Sequence, residues 1–262
     1  MTDLVLSEDD GHVRHLILNR PEKRNAFNPE LIQALHEAAS AAADDPDVHV
    51  VVLRGAGKVF SAGVDLMGLG GQLSGDGMTD IRPFRRAWIE AVNLLEDMAK
   101  PVVCAIHGGC YGGALETALA CDIRIVTEDA RLSLPETQLG LLPDVGGSTR
   151  LPQVVGLGRA KDLILTSREI DGVEAERIGL ANQVVPADEL DAATQMWVDR
   201  LLGCSPLAVG FAKRVMDASA RPTLSASLEM EIALNTTLVN SEDFKEAVQA
   251  RMEKRSGNWK RR

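Results

Sequence analysis

Short, continuously apolar segments alternate with helix-type segments along the first part of the chain. VHVVVLRGAG (48–57) and PVVCAIHG (101–108) are apolar at successive positions, with glycines at their ends. A strand with one face in water would alternate polar and apolar residues, so these two segments predict strands that are buried on both faces. Helices must then cover both faces of the sheet, and the sequence predicts an α/β fold.

Helix-type segments occupy the intervals between the strands. In NPELIQALHEAASAAA (28–43), Asn28 is a preferred N-cap, Pro29 suits the first helical position, and apolar residues recur on one face. The other predicted elements are strands at 12–20 and 122–128, helices at 81–98 and 112–121, and a mobile, glycine-rich loop at 68–80.

The character of the sequence changes near residue 200. The segment 205–219 begins with Ser and Pro and predicts a helix, and the segments 223–241 and 242–255 are also helical in character. No linker-like composition separates them from the preceding residues. We therefore predict a core of residues 1–200 and a C-terminal helical region of residues 201–262 that does not fold independently.

The charge balance limits the class of partner. The 262 residues carry a formal net charge of −10, which argues against nucleic acid or an anionic membrane as the main partner. The basic segment 254–262 has the composition of a solvated tail. No apolar run approaches the roughly 18 residues that a membrane span requires.

The cysteines and the N-terminus indicate the compartment. Four cysteines form no CxxC pair and are predicted as small buried side chains in a reducing environment: Cys104, Cys110, Cys121 and Cys204. The first residues are acidic and lack the pattern of a secretory signal. Both observations predict a cytoplasmic protein.

Three common catalytic patterns are absent from the sequence. RGAGK (54–58) resembles part of a phosphate-binding loop, but Val52 and Val59 stand where that motif needs glycine and Ser or Thr. No GxSxG motif supplies a serine nucleophile. No cluster of His, Cys and carboxylates has the spacing of metal ligands, so no metal is predicted.

Four motifs, occurring in order, carry a resemblance to a known family. They are NRPEKRNAFN (19–28), VFSAGVDL (59–66), CYGGALETALACDIRI (110–125) and LSLPETQLGLLPDVGGSTRLPQVVG (132–156). The chain resembles the enoyl-CoA hydratase/isomerase, or crotonase, superfamily over nearly its whole length. The resemblance implies a spiral of ββα-like units with a C-terminal helical region that packs in homotrimers, often paired into homohexamers.

The resemblance also implies an active site for acyl-CoA thioesters. The backbone N–H groups of Val64 and Gly113 would form an oxyanion hole for a thioester enolate, which requires donors that approach closely. Glu116 and Glu136 match two family glutamates that hold a water between them for acid–base work. Two carboxylates in an apolar site should have their pKa values pushed apart, which suits that work.

The same resemblance implies residues that contact the CoA moiety, mostly through their backbone. Because CoA is part of the substrate, no separate cofactor is expected. The implied residues are Arg24, Ala26, Ala62, Asp65, Leu66 and Lys254, the last of them acting from a neighbouring subunit.

Asp144 leaves the reaction open. Hydratases of the family usually have glycine at this position, whereas dienoyl-CoA isomerases have an acid there that acts with the residue matching Glu136. The sequence Pro143-Asp144-Val145-Gly146 also has the composition of a simple turn. We predict an enoyl-CoA hydratase because both Glu116 and Glu136 are present. The alternatives are a dienoyl-CoA or enoyl-CoA isomerase using Glu136 and Asp144, a 3-hydroxyisobutyryl-CoA hydrolase, and a non-catalytic acyl-CoA binder.

Overall fold

The computed structural model describes residues 3–65, 82–139, 141–219, 242–255 and 257–260. The described strands are β1 (Val5–Asp10), β2 (Val13–Leu18), β3 (Val50–Gly55), β4 (Val102–Ile106), β5 (Gly109–Tyr111), β6 (Ile123–Thr127), β7 (Arg131–Ser133), β8 (Ile170–Asp171) and β9 (Gln183–Val185).

The α-helices fall between and after the strands. They are α1 (Pro29–Asp44), α2 (Arg82–Asp97), α3 (Gly113–Leu119), α4 (Gly147–Val155), α5 (Leu157–Thr166), α6 (Gly172–Arg177), α7 (Leu190–Leu202), α8 (Pro206–Ser219) and α9 (Glu242–Glu253). Short 3-10 helices lie at Pro21–Lys23, Pro135–Leu139 and Ala187–Glu189.

A mostly parallel sheet forms the centre of the molecule. Its six strands have the order β1-β2-β3-β4-β6-β9, and the β1–β2 pair is antiparallel whereas the other pairs are parallel. A smaller sheet has the order β5-β7-β8. The prediction of an α/β fold is confirmed.

The continuously apolar strands are buried on both faces, as predicted. In β3, Val51 and Leu53 belong to the large hydrophobic core that includes residues of α1 and α2. The alternate residues Val50 and Val52 belong to a second core that includes residues of α7. Because neighbouring side chains of a strand point to opposite faces, two helical layers require apolar residues at every position.

Several predicted elements differ from the observed ones at their ends. The segments 12–20 and 48–57 form shorter strands, β2 and β3, whereas the helix predicted at 28–43 is observed as α1 and is capped by the Asn28 side chain. Strand β1 was not predicted, because most of its residues are exposed and four of them are polar or acidic. The predicted loop 68–80 and the predicted helix 223–241 lie outside the described residues.

The cysteine prediction holds for three of the four residues. Cys104, Cys110 and Cys121 are buried free thiols, whereas Cys204 is exposed, and the prediction for Cys204 was therefore wrong. Cys204 follows the end of α7, where its backbone N–H closes the last turn of the helix. Among the described residues, no helix has the length and apolar character needed to cross a membrane.

A buried lysine attaches α8 to the core. The Lys213 ammonium donates to the Leu95 carbonyl at 3.0 Å, to the Lys100 carbonyl at 3.2 Å and to the Asp122 carboxylate at 2.8 Å. A buried ammonium is stable only when its protons are accepted in this way. Lys213 therefore fixes α8 to the ends of α2 and α3.

Replacing Lys213 with Met is expected to lower the free energy of unfolding by about 2–3 kcal/mol, because three charge-assisted hydrogen bonds are lost and the buried Asp122 carboxyl group loses the cation that donates to it. Urea denaturation measures this change. Lys161→Met, at an exposed position of α5, is the matched control. Equal midpoints for the two variants would contradict the anchoring role.

Candidate active site

Two backbone segments run side by side at the N-terminus of α3. Ser61 N–H donates to the Gly109 carbonyl at 3.1 Å, and Tyr111 N–H donates to the Ser61 carbonyl at 3.2 Å. These bonds pair the two segments shortly before Gly63 in one and Gly113 in the other. A Cβ at Gly63 would clash with the Tyr111 carbonyl oxygen and would lie 3.7 Å from the Gly113 nitrogen. Only glycine at position 63, with φ of +82°, allows this approach.

The hydrogen bonds around Val64 determine where its N–H points. Phe27 N–H donates to the Gly63 carbonyl at 2.7 Å, and Asp65 N–H donates to the Phe27 carbonyl at 2.8 Å. Since successive N–H groups of an extended chain point in opposite directions, the Val64 N–H points away from Phe27, toward the Gly113 segment. The Gly113 N–H belongs to the first turn of α3, which leaves it without a partner within the helix. Within the described part of the chain, neither N–H has an acceptor.

Trp88 of α2 holds the first turn of α3. Its ring covers Gly113, where a Cβ would clash with it. Its indole N–H donates to the Thr117 hydroxyl at 3.2 Å, and that hydroxyl donates to the Gly113 carbonyl at 2.8 Å. These contacts hold in place the first turn of α3, to which the Gly113 N–H belongs.

Asn25 and Ser61 fix the Val64 segment, and sequence reasoning did not identify either residue. Asn25 is fully buried with φ of +53°, and its side-chain amide donates to the carbonyls of Ala56, Val59 and Phe60. The Ser61 hydroxyl donates to the Asn25 carbonyl at 2.7 Å and accepts the Gly63 N–H at 3.1 Å. The signal available in the sequence was an asparagine, which tolerates left-handed backbone, between an arginine and an apolar pair.

Glu116 lies one turn into α3 and is only 2% exposed. Its Oε2 accepts two N–H groups from the turn before α4, from Val145 at 2.7 Å and from Gly147 at 2.6 Å. Burial raises the pKa of Glu116 to about 7. The two N–H donors and the Arg150 cation oppose this rise in pKa, and the nearby charge of Glu136 adds to it.

Glu136 lies in the 3-10 helix that follows β7. Burial raises its pKa as well. Its Oε2 is buried without a hydrogen-bond partner among the described residues. A Cβ at Gly112 would lie 2.5 Å from Oε1, so the carboxyl group contacts the backbone directly before Gly113. A buried carboxylate oxygen without a partner is costly unless a ligand or water satisfies it.

Asp144 lies in a turn between Pro143 and α4, and its carboxylate forms an ion pair with Arg85 of α2. Asp144 also lines a cavity of about 440 Å³ between α2 and α4, together with Ile89, Asn93 and Gln153. The turn predicted from the sequence is thus present, and the arginine that accompanies Asp144 was not foreseen.

The residues predicted to contact CoA fall into two places. Ala62 N–H donates to the Arg24 carbonyl at 2.9 Å, which joins the segment of Arg24 and Ala26 to the segment that continues to Gly63 and Val64. The Asp65 carboxylate pairs with Arg20 at 2.7 Å. Leu66 lies outside the described residues. Lys254 is exposed and directly follows the last residue of α9, with φ of +53°. It is the one predicted CoA contact that lies in the C-terminal helical region.

The site therefore combines two functions. The N–H groups of Val64 and Gly113, which have no acceptor in the described part of the chain, can stabilise a developing oxyanion. Beside them are two carboxyl groups with raised pKa values, that of Glu116 being about 7, which can accept and donate protons. In the described ranges, no group of three or more His, Cys, Asp and Glu is arranged to hold a metal ion.

Comparison with known proteins identifies the family. The sequence model of the family described as enoyl-CoA hydratase/isomerase matches residues 8–262. A peroxisomal Δ(3,5)-Δ(2,4)-dienoyl-CoA isomerase of Arabidopsis thaliana is 36% identical, over 97% of this chain and 94% of its own. A probable enoyl-CoA hydratase of Mycobacterium tuberculosis is 34% identical over 99% of both chains. The crystal structure of an enoyl-CoA hydratase from Bacillus anthracis superposes with a TM-score of 0.94 at 32% identity, covering 99% of this chain and all of the other.

The chain belongs to the enoyl-CoA hydratase/isomerase family, and its predicted crotonase-type fold is confirmed. The relatives include both hydratases and a dienoyl-CoA isomerase, so family membership by itself leaves the reaction to be argued from the site.

Proposed function

We propose that this protein is an enoyl-CoA hydratase, which adds water across the 2,3 double bond of an enoyl-CoA thioester. The observation that carries the proposal is the Glu116–Glu136 pair. These two carboxyl groups have raised pKa values and lie beside the N–H groups of Val64 and Gly113, which have no acceptor among the described residues. A hydratase needs this combination, since a base, an acid and an oxyanion site act in one addition.

The proposed reaction uses one proton of the pair. A water held between the carboxyl groups gives a proton to the ionised member as its oxygen bonds to C3. The thioester oxygen becomes an enolate, which the Val64 and Gly113 N–H groups stabilise. The member that carried the proton at the start then gives it to C2. H and OH have then both been added, and the pair again holds one proton.

The substrate's CoA portion is proposed to lie along the backbone of residues 24–26 and 62–66, with Lys254 of a neighbouring subunit near its phosphates. The hydrogen bond between Ala62 and Arg24 supports the first part, because it ties the two segments to the oxyanion site. Relatives named as crotonyl-CoA and enoyl-CoA hydratases support an acyl-CoA substrate. We also propose a cytoplasmic homotrimer or homohexamer acting in fatty-acid β-oxidation.

A dienoyl-CoA isomerase is the second candidate. Asp144 favours it, together with the 36% identity to a dienoyl-CoA isomerase. The ion pair with Arg85 weighs against it, because a carboxylate held by a guanidinium is a poor proton acceptor. The two candidates are separated by incubating the protein with crotonyl-CoA and with a 3,5-dienoyl-CoA and following the ultraviolet absorbance of each.

Asp144→Asn provides the sharper test. For a hydratase we expect kcat on crotonyl-CoA to change by less than about threefold, because Asp144 stabilises no charge of the transition state. Steady-state rates with both substrates measure this effect. A strong dienoyl-CoA isomerisation by the native protein that is lost in Asp144→Asn would make the protein an isomerase and would replace our proposal.

A further inference from the structure

Arg150 of α4 is a buried cation that interacts electrostatically with Glu116. The whole residue is only 9% exposed. Its Nη2 donates at 2.7 Å both to the Asn93 amide oxygen and to the Glu96 carboxylate of α2. Asn93 and Glu96 are three residues apart and share one face of α2. Burying a guanidinium costs free energy unless it is paired, so a buried arginine is expected to have a structural or functional role.

The other end of the guanidinium binds the turn that holds Glu116. Arg150 Nη1 donates to the Val145 carbonyl at 3.1 Å, and the N–H of the same Val145 donates to Glu116 Oε2 at 2.7 Å. Gly146, with φ of +116°, has no Cβ, and a Cβ there would clash with Arg150 Nη1. The guanidinium therefore covers one side of the turn, while Glu116 occupies the other.

The charged groups around Glu116 come from each element packed against α3. Glu136 on the 3-10 helix raises its pKa and Arg150 on α4 lowers it. Arg85 on α2 also interacts electrostatically with Glu116 and is paired with Asp144 of the turn. Glu96 on α2 partly neutralises Arg150.

We propose that Arg150 is a positioning residue of the active site: it holds the Val145–Gly147 turn against Glu116 and places a cation, balanced by Glu96, near the Glu116 carboxyl group. Sequence reasoning placed no role on Arg150. The inference rests on the proposed function only in taking Glu116 as catalytic, and its test does not require turnover.

The test is a carboxyl titration of the free protein by ¹³C NMR, with glutamate labelled at the side-chain carboxyl carbon and Glu116→Gln used to assign the Glu116 signal. In Arg150→Met the midpoint of Glu116 is expected to move upward by about one pH unit, because a nearby cation and two oriented donors are lost. Arg150→Lys keeps the charge without the forked contacts, and an intermediate midpoint is expected.

Glu96→Gln separates the electrostatic effect of Arg150 on Glu116 from a general loosening of the site. Removing this anion leaves Arg150 less neutralised, so the Glu116 midpoint is expected to move downward, opposite to the effect of Arg150→Met. Arg159→Met, an exposed arginine on α5 that donates to the Ile178 carbonyl, is the matched control and should leave the midpoint unchanged.

Three results would overturn the proposal: an unchanged midpoint in Arg150→Met, an upward shift in Glu96→Gln, or an equal shift in the Arg159→Met control. If Arg150→Met does not fold, Arg150→Lys and Glu96→Gln carry the same test, and unshifted midpoints in both would overturn it. A native protein that fails to hydrate crotonyl-CoA would overturn the proposed function alone, since the titration is read without substrate.

Discussion

Replacing Glu136 with Gln is expected to reduce kcat for crotonyl-CoA hydration by roughly a thousandfold, within the range that general acid–base groups contribute. The substitution preserves the shape of the side chain but removes its proton-accepting oxygen. Oε2 of Glu136 is buried and has no partner among the described residues, so it is available to bind a water or to accept a proton. KM should change little, because in the proposed reaction the thioester is bound by the backbone segments at Val64 and Gly113, which the substitution leaves in place.

Steady-state kinetics with crotonyl-CoA measure this effect, and circular dichroism shows whether the variant is folded. Glu128→Gln, at an exposed position, is the matched control and should retain native activity. A second readout follows from charge: the pKa of Glu116 should fall in Glu136→Gln, since the Glu136 charge now raises it. A variant that keeps more than about a tenth of the native kcat would exclude Glu136 from proton transfer.

The fold was largely predictable because its signals are local. Two apolar runs specify strands with helices on both faces, and β3 and β4 are buried on both faces for that reason. The pair Asn28-Pro29 specifies the start of α1, where the Asn28 side chain accepts the Leu31 N–H. Strand β1 escaped prediction because an edge strand of polar residues has no local signal and is defined only by its register with β2.

The site was less predictable, because its chemistry depends on contacts between distant segments. The family motifs indicated Glu116 and Glu136, and the structure places them close enough to influence each other's charge. No sequence pattern showed that Asn25 would reach three carbonyls, or that Arg85 would pair with Asp144. The carbonyls that Asn25 reaches are backbone groups, which every residue type has, so no sequence pattern marks them. The Arg85–Asp144 pair depends on how α2 packs against the turn before α4.

Replacing Glu116 with Gln is expected to lower kcat by roughly a hundredfold to a thousandfold. The glutamine carbonyl oxygen can take the place of Oε2 and accept the Val145 and Gly147 N–H groups, so the turn before α4 should keep its position. What the variant loses is the ability to hold or release a proton. A loss of kcat with a nearly unchanged KM would therefore report proton transfer and not misfolding of the site.

The pH dependence of kcat/KM should show which glutamate holds the proton of the pair. The proposed reaction needs a singly protonated pair, and the pKa of Glu116 is about 7, so kcat/KM of the native protein should fall as the pH rises through about 7. In Glu116→Gln that alkaline decline should disappear, because the group that loses the proton is gone. Rates on crotonyl-CoA between about pH 5 and pH 9 measure it. A decline that persists in Glu116→Gln would assign the titration to another group. Active Glu116→Gln together with inactive Asp144→Asn would transfer the acid–base role to Asp144, and with it the reaction to the isomerases of the family.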